Sequence, residues 1–222
     1  VNWLEMCDEL INDFKPDLVG FSVMFGASFE TAQKVGNNIK KKYPEVIIVS
    51  GGVHTTGLAK EKGGELDFND FICKKESEKH FVHLIKYLNN EIDSVKGVIA
   101  KNNKYVRNSN DISEEIDVVE HVDELPIPDY AIVKIQDYYK HGILSAAQTV
   151  SYDTPLATMQ TVRGCTARCT FCSVRNFNGF GVRTHSPERV LKEIDILYQQ
   201  YGIRHIDFVD DDFTVSKERV IK

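Results

Sequence analysis

No stretch of this chain approaches the roughly 18 to 20 apolar residues of a membrane-spanning helix. The opening "VNWLEMCDEL" has no basic segment leading into an apolar one, so no export signal is visible. Basic residues are not in excess either. The 222 residues carry 27 Lys and Arg against 33 Asp and Glu, a formal net charge of −6. That balance argues against a general nucleic-acid binder, which needs a basic surface to displace counterions from phosphates. Cysteine is sparse: its five copies are an odd number, and three are clustered. Such usage makes a poor disulfide framework and fits a reducing, cytoplasmic setting with a metal or redox site. Internal repeats and low-complexity segments are absent. There is no initiator Met, and "SKERVIK" breaks off in a helical pattern, so the expectation is a fragment of a longer protein. What remains, 42% apolar and 27% charged, is the composition of an ordinary globular protein with room for one large domain or two modest ones.

Residues 1–90 alternate short apolar runs with helical patterns. "DLVGFSVMF" (Asp17 to Phe25) and "VIIVSGG" (Val46 to Gly52) read as buried strands. Between them Phe29, Ala32, Val35, Ile39 and Tyr43 recur at helical spacing. Ser28 can cap that helix, and Lys40, Lys41 and Lys42 suit its C-terminal dipole. "DFNDFIC" is a weaker third strand, followed by a helix with Phe81, Leu84, Ile85 and Leu88 on one face. Strand–helix–strand alternation with short connections implies a parallel doubly wound sheet, with ligands at the carboxyl ends of its strands. Residues 91–155 differ. "VKGVIAKNNKYVRN" reads as a hairpin turning at Asn102-Asn103, and "VDELPIPDY" as an extended, proline-marked linker. The stretch from Tyr138 to Pro155 carries no clear pattern.

A second domain begins at residue 156. A strand (Leu156 to Val162) runs into "RGCTARCTFCSVR", and a helix follows with Ser186 at the N-cap, Pro187 at N1 and Gly202 just past its end. Its buried stripe is expected to be Val190, Leu191, Ile194, Leu197, Tyr198 and Tyr201. "HIDFV" is the next strand, ending in "DDDFT".

Cys165, Cys169 and Cys172 stand at C-x₃-C-x₂-C spacing. Thiolates bind iron–sulfur clusters, zinc or each other. A structural zinc needs four closed ligands, and although Cys73 or His185 could supply a fourth, neither has a finger or ribbon spacing to the loop. The usual ferredoxin cluster also takes four cysteines. Three leave one iron of a 4Fe–4S cluster open to a substrate or cofactor. Cys7 and Cys73 read as small buried residues.

"CTARCTFC" resembles the C-x₃-C-x-aromatic-C signature of radical SAM enzymes, and it follows the first strand of a β-α-β series, where a parallel barrel places its active site. The resemblance implies that Cys165, Cys169 and Cys172 ligate three irons while the fourth holds S-adenosylmethionine, and that Phe171 lies near the adenine; its other reading is core packing. "DFVDDDFT" resembles the Asp-Asp-x-Phe pattern by which a subgroup ends its second barrel strand. This would set Asp210, Asp211 and Asp212 near the methionyl ammonium, which needs acceptors or negative charge. The alternative is a solvated acidic turn. Arg163 and Arg183 match positions where that subgroup often has basic residues, and each also reads as a surface or structural ion pair.

The N-terminal half resembles the cobalamin-binding domain of cobalamin-dependent radical SAM proteins. Ser22-Val23-Met24 is similar to the Ser-x-Leu element of such domains, and Gly51-Gly52 to their Gly-Gly strand end, where a missing Cβ lets backbone approach a bulky nucleotide tail. "LPIPDY" is similar to their linker. Two departures stand out: no Asp-x-His-x-x-Gly element supplies a histidine to cobalt, and "KESE" (Lys75 to Glu78) replaces a Gly-Glu-Gly-Glu-like turn. His54 reads as a polar loop histidine. The expected architecture is α/β: a Rossmann-like doubly wound parallel sheet of cobalamin-binding type, N-terminally truncated, then the first β-α-β unit of a partial TIM-type radical SAM barrel. The resemblance implies a 4Fe–4S cluster, S-adenosylmethionine and cobalamin as cofactors, a small-molecule substrate, and an external electron donor such as flavodoxin or ferredoxin. It further implies methyl transfer to an unactivated carbon, with a cyclase or rearrangement enzyme, or a non-catalytic iron–sulfur or zinc module on a corrinoid-like fold, as alternatives.

Overall fold

The structure is a computed structural model, describing residues 2–59, 64–116, 118–138 and 154–222. The chain divides into two compact units, Val1–Val119 with Asn176–Asn178, and Glu120–Arg175 with Gly179–Lys222. Most of the patternless stretch from Tyr138 to Pro155 lies outside the described residues. Among the described residues no helix is long and apolar enough to cross a membrane.

The first unit runs α1 (Trp3–Phe14), β1 (Leu18–Ser22), α2 (Gly26–Lys42), β2 (Ile47–Gly51), α3 (Val53–Leu58), β3 (Phe71–Cys73), α4 (Glu78–Leu88), β4 (Val95–Lys96), β5 (Val98–Ala100) and β6 (Ile112–Ser113). Its main sheet has the order β1-β2-β3-β5, with β1, β2 and β3 parallel and β5 antiparallel at the edge. Strand alternation divides the side chains between two cores. Ile48 and Ile72 pack with Ile11 of α1 and with Phe29, Ala32, Val35 and Ile39 of α2. Val49, Phe71 and Cys73 face the other way, onto Leu84 and Tyr87 of α4. Helices therefore cover both faces, as a doubly wound sheet requires. Beneath β2 and β3, buried Asp70 accepts hydrogen bonds from Lys40, from the Ile48 amide (2.8 Å) and from Asn102 (2.7 Å). A charge removed from water needs that degree of compensation.

Three local expectations are corrected. Ser28 sits inside α2, not at its N-cap: its hydroxyl donates to the Phe25 carbonyl (2.7 Å) and accepts from the Phe25 amide, so the helix starts earlier. The buried face of α4 is His80, Leu84 and Tyr87, while Phe81 is exposed. Gly97, at φ +72°, makes room for the His80 ring, which would meet a Cβ there at 2.3 Å. The hairpin does not form. Residues 98–100 pair instead with β3, and β4 pairs in parallel with β6. Completing the sheet buries Val98 fully, whereas an isolated hairpin would leave it wet.

The second unit opens with a 3₁₀ turn (Val122–Glu124), then α5 (Ile135–Tyr138), β7 (Leu156–Met159), β8 (Val162–Arg163), α6 (Val174–Asn178), β9 (Arg183–Thr184), α7 (Pro187–Tyr201), β10 (His205–Phe208) and α8 (Lys217–Ile221). β7 and β10 are parallel neighbours, Leu156 opposite His205 through Met159 opposite Phe208. The expected single strand from Leu156 to Val162 is broken after Met159, and β8 turns away to pair antiparallel with β9. The capping of α7 is as expected: the Ser186 hydroxyl accepts from the Arg189 amide, Pro187 opens the helix and Gly202 closes it at φ +68°. Its stripe is the expected one at four of six positions: Leu197 is buried with Ala157, Met159 and Ile203, and Val190, Ile194 and Tyr201 pack against them, but Leu191 and Tyr198 are exposed. Glu193 is buried in their stead, accepting from the Tyr130 hydroxyl (2.6 Å) and from Arg189 (2.8 Å). Burial and the adjacent Glu193 carboxylate both push the Tyr130 phenol up.

Two adjacent glycines of the first unit have different burdens. A Cβ on Gly52 would lie 2.4 Å from the Val23 carbonyl, at φ +106°; one on Gly51 would meet nothing closer than 3.6 Å. Gly52→Ala is expected to destabilise the protein by about 2 kcal/mol or more, and Gly51→Ala by less than about 1 kcal/mol. Urea unfolding midpoints of the two variants check the contrast.

Candidate functional site

In the first unit the strand carboxyl ends converge on small groups. Ser22 lies opposite Gly51 in register, and the Val23 amide donates to the Gly51 carbonyl (2.8 Å). Ser22 is exposed, and Gly20, two residues earlier on the same strand face, has open space within 4 Å of where its Cβ would be. Together with half-buried Gly51 they put three small residues at neighbouring strand ends, where little side-chain bulk would oppose a nucleotide tail. Gly20 was not singled out from sequence; a glycine within a strand was the available signal. Gly52 is held by the chain's own backbone and needs no ligand to explain it. His54 donates its amide to the Val23 carbonyl (3.2 Å) and packs its ring on Phe29 at 5.1 Å between centroids. Lys75 is left-handed at φ +55°, where glycine is cheaper, at the first residue of the "KESE" departure. Its amide is held by the Thr56 hydroxyl (2.9 Å).

In the second unit the cysteine loop leaves from the end of β8. Cys165, Cys169 and Cys172 are all free thiols, Cys169 exposed and the other two half-buried. The Ala167 amide points at the Cys165 sulfur (3.4 Å), and the Cys172 amide donates to the Cys169 carbonyl (3.3 Å). Among the described residues no three His, Cys, Asp or Glu side chains are arranged to hold a single metal ion. A cluster places its irons on separate corners, so its thiolates need not converge on one point. The donor set of three accessible thiols on one short loop fits such a cluster. The other candidate ligands are engaged elsewhere. Cys73 is buried in the first core, which pushes its thiol up to about 12 and keeps it protonated. Cys7 packs against the other core of that unit. The His185 Nδ1 lies 3.0 Å from an Asp123 carboxylate oxygen. Phe171 is 90% exposed, so the core-packing alternative does not hold and the ring is available to a ligand.

The acidic run is divided in its contacts. Asp210 accepts from the Thr161 amide, the Val162 amide (2.7 Å) and the Thr161 hydroxyl (2.6 Å). Asp211 accepts from the Gly164 amide (2.7 Å), at the residue before Cys165. Asp212 is half-buried, and its side chain has no hydrogen bond or ion pair among the described residues. Phe213 stacks on Phe208 at 4.9 Å. Arg163 and Arg183 face each other across the β8–β9 ribbon, and neither is free. Thr161 and Arg219 escaped sequence reasoning. Arg219 donates to the carbonyls of His185 (3.0 Å) and Thr161 (3.2 Å), contacts that no local pattern announces.

Fold and donor set define the class: a cobalamin-type α/β sheet joined to the opening of a radical SAM barrel. The B12 binding domain family matches residues 3–85 and the Radical SAM superfamily matches residues 159–222. The chain belongs to the radical SAM superfamily proteins that carry a B12-binding domain. It is 33% identical over 217 residues to the uncharacterized methyltransferase PH0819 of Pyrococcus horikoshii, spanning 96% of this chain and 43% of that protein. To the anaerobic magnesium-protoporphyrin IX monomethyl ester cyclase of Rubrivivax gelatinosus it is 24% identical, over 96% of this chain and 37% of the cyclase. In fold it is similar to the radical S-adenosylmethionine methyltransferase TsrM from Kitasatospora setae, solved with cobalamin and a [4Fe-4S] cluster bound: TM-score 0.66, 17% identity, 98% of this chain and 41% of that one. The chain thus spans less than half the length of the curated relatives it matches.

The Asp123 contact links the 3₁₀ turn to the start of α7. Partial burial raises the Asp123 carboxyl, but hydrogen bonds from Ser186 and His185 and the charge of His185 outweigh it and hold it below the usual range. A depressed carboxylate contributes stability that is present above its unfolded value, near about 3.9, and is lost as pH falls through the folded value. The unfolding midpoint is expected to drop between pH 5 and 3, and Asp123→Asn to flatten that drop, as thermal unfolding across this range would reveal.

Proposed function

We propose that the intact protein is a cobalamin-dependent radical SAM enzyme that transfers a methyl group to an unactivated carbon of a small molecule. The observation that carries this reading is the loop itself: three free thiols at Cys165, Cys169 and Cys172, while Cys73 is buried in a core and His185 bonds to Asp123. When bound, the 4Fe–4S cluster supplies the electron that cleaves S-adenosylmethionine to a 5′-deoxyadenosyl radical, and cobalamin supplies the methyl group that caps the substrate radical.

The chain's own residues hold and orient. Cys165, Cys169 and Cys172 would hold the cluster through three of its irons, leaving the fourth open to S-adenosylmethionine. Phe171, exposed beside the last cysteine, covers the adenine. Asp212 accepts from the methionyl ammonium, a role for which a half-buried carboxylate with no side-chain partner among the described residues is suited. Ser22, Gly20 and Gly51 face the cobalamin tail, with Gly52 keeping the strand ends close. An external one-electron donor of the flavodoxin or ferredoxin type reduces the cluster, and five free cysteines suit a reducing compartment such as the cytosol. The likeness to an anaerobic cyclase, at 24% identity over 96% of this chain, supports a second reading in which the same cofactors drive ring closure.

The experiment is anaerobic iron–sulfide reconstitution of the intact protein, with paramagnetic resonance of the reduced form before and after adding S-adenosylmethionine. A 4Fe–4S signal that changes on addition is expected, and Cys169→Ala should abolish it. Stoichiometric zinc with no cluster signal would sink the reading. Separately, Ser22→Leu and Gly51→Val should each weaken cobalamin retention on gel filtration while the far-ultraviolet spectrum is unchanged; full retention would remove these residues from the site.

A further inference from the structure

The run Asp210-Asp211-Asp212 lies where a cofactor ammonium is expected, yet two of its carboxylates already have work inside the protein. The parallel ladder between β7 and β10 ends with the Val209 amide donating to the Met159 carbonyl (2.9 Å). One step on, the side chain of Asp210 takes over from backbone. One of its oxygens accepts from two consecutive amides, those of Thr161 and Val162, and the other accepts from the Thr161 hydroxyl at 2.6 Å. Thr161 is 1% exposed, so these donors would be orphaned in the interior without Asp210. Its carbonyl is satisfied too, by the His185 amide (2.9 Å) and Arg219 (3.2 Å). Three residues further along, Asp211 receives the Gly164 amide (2.7 Å), where the backbone turns through φ +86° immediately before Cys165.

We infer that Asp210 and Asp211 are positioning residues: they fix the backbone from Thr161 to Gly164, and through it the direction in which the cysteine loop leaves the sheet, without contacting S-adenosylmethionine. The inference rests on the radical SAM reading. It assigns the cofactor-facing role within the acidic run to Asp212 alone. What the loop root needs from Asp210 is acceptors and shape, not charge. An Asn there keeps one oxygen for the two amides, and its NH₂ group can donate to the Thr161 hydroxyl, which turns from donor to acceptor. A residue that balances an ammonium needs the negative charge itself.

The two roles separate cleanly in the intact protein, reconstituted anaerobically and read by iron content and by the S-adenosylmethionine-dependent change in the resonance signal. Asp210→Ala is expected to lose most of its cluster, and Asp210→Asn to restore both the cluster and the response to S-adenosylmethionine. Asp212→Asn should keep the cluster and lose the response. Asp210→Asn with a full cluster but no response would overturn the inference, because the charge would then matter at the cofactor. So would an Asp210→Ala protein with wild-type cluster content. If Asp210→Ala fails to fold, Asp210→Asn decides alone, since its response to S-adenosylmethionine is the quantity in dispute. Failure of the wild-type protein to form a cluster is a different result: it removes the radical SAM reading before any variant is compared.

Discussion

A parallel strand that stops pairing leaves amides facing a neighbour that has ended, and in the second unit the carboxylate of Asp210 closes that gap. It gathers two amides and a hydroxyl from Thr161 and Val162, at the point where the chain leaves β7 for the cysteine loop. The cysteine loop leaves the sheet at that root. It is mostly exposed, so its direction is inherited from where it is anchored. The anchor is cross-braced. His185, which donates its amide to Thr161, also faces Asp123, and Arg219 of α8 reaches the carbonyls of both His185 and Thr161. A shift of β10 against β7 would therefore be felt at the cysteines.

The first unit meets the same need by a different chemistry. There the strand ends are kept close by absence of side chains: Gly52 lets the Val23 carbonyl approach to a distance no Cβ permits, and Gly51 and Gly20 leave room beside Ser22. A glycine-lined end suits a large, nearly neutral ligand that needs backbone contact over a wide area. A carboxylate-lined end suits a small charged one held by directional bonds. The contrast follows from the ligands each unit is read to hold. Lys75 complicates the first end, because a residue with a side chain adopts a left-handed conformation there. That turn is held by Thr56 at the Lys75 amide and by Ser77 at its carbonyl (3.2 Å).

The main strands of the first sheet and the ends of α7 were readable in the sequence because they depend on local periodicity and local turn chemistry. α7 is an example: Ser186, Pro187 and Gly202 set its ends without tertiary help. Its buried face also takes in Glu193, which no hydrophobic pattern selects. Two partners, Tyr130 from the proline-marked linker and Arg189 one turn back, make its burial tolerable. The hairpin failed for a related reason. Whether residues 98–100 fold back locally or join β3 depends on an open sheet edge, which no window of sequence contains. The cysteines could be found because the spacing of three thiols is itself the signal. Their support could not, since Thr161 and Asp210 are 49 positions apart.

Three identical residues in a row now carry at least two different jobs. Asp210 and Asp211 bond to backbone on the loop's approach, and Asp212 points its carboxylate at no protein group among the described residues. Motif resemblance locates such a run correctly but treats its members as interchangeable. Physical chemistry does not: a carboxylate that already accepts three hydrogen bonds has little capacity left for an ammonium, while its half-buried neighbour, with no side-chain partner among the described residues, keeps its acceptors open. Asp212 is also positioned by the other two, because Asp210 and Asp211 pin the same short segment that carries it. One acidic run can thus fix the site that holds the metal and present the charge that holds the cofactor, with the division set by which backbone amides each carboxylate can reach.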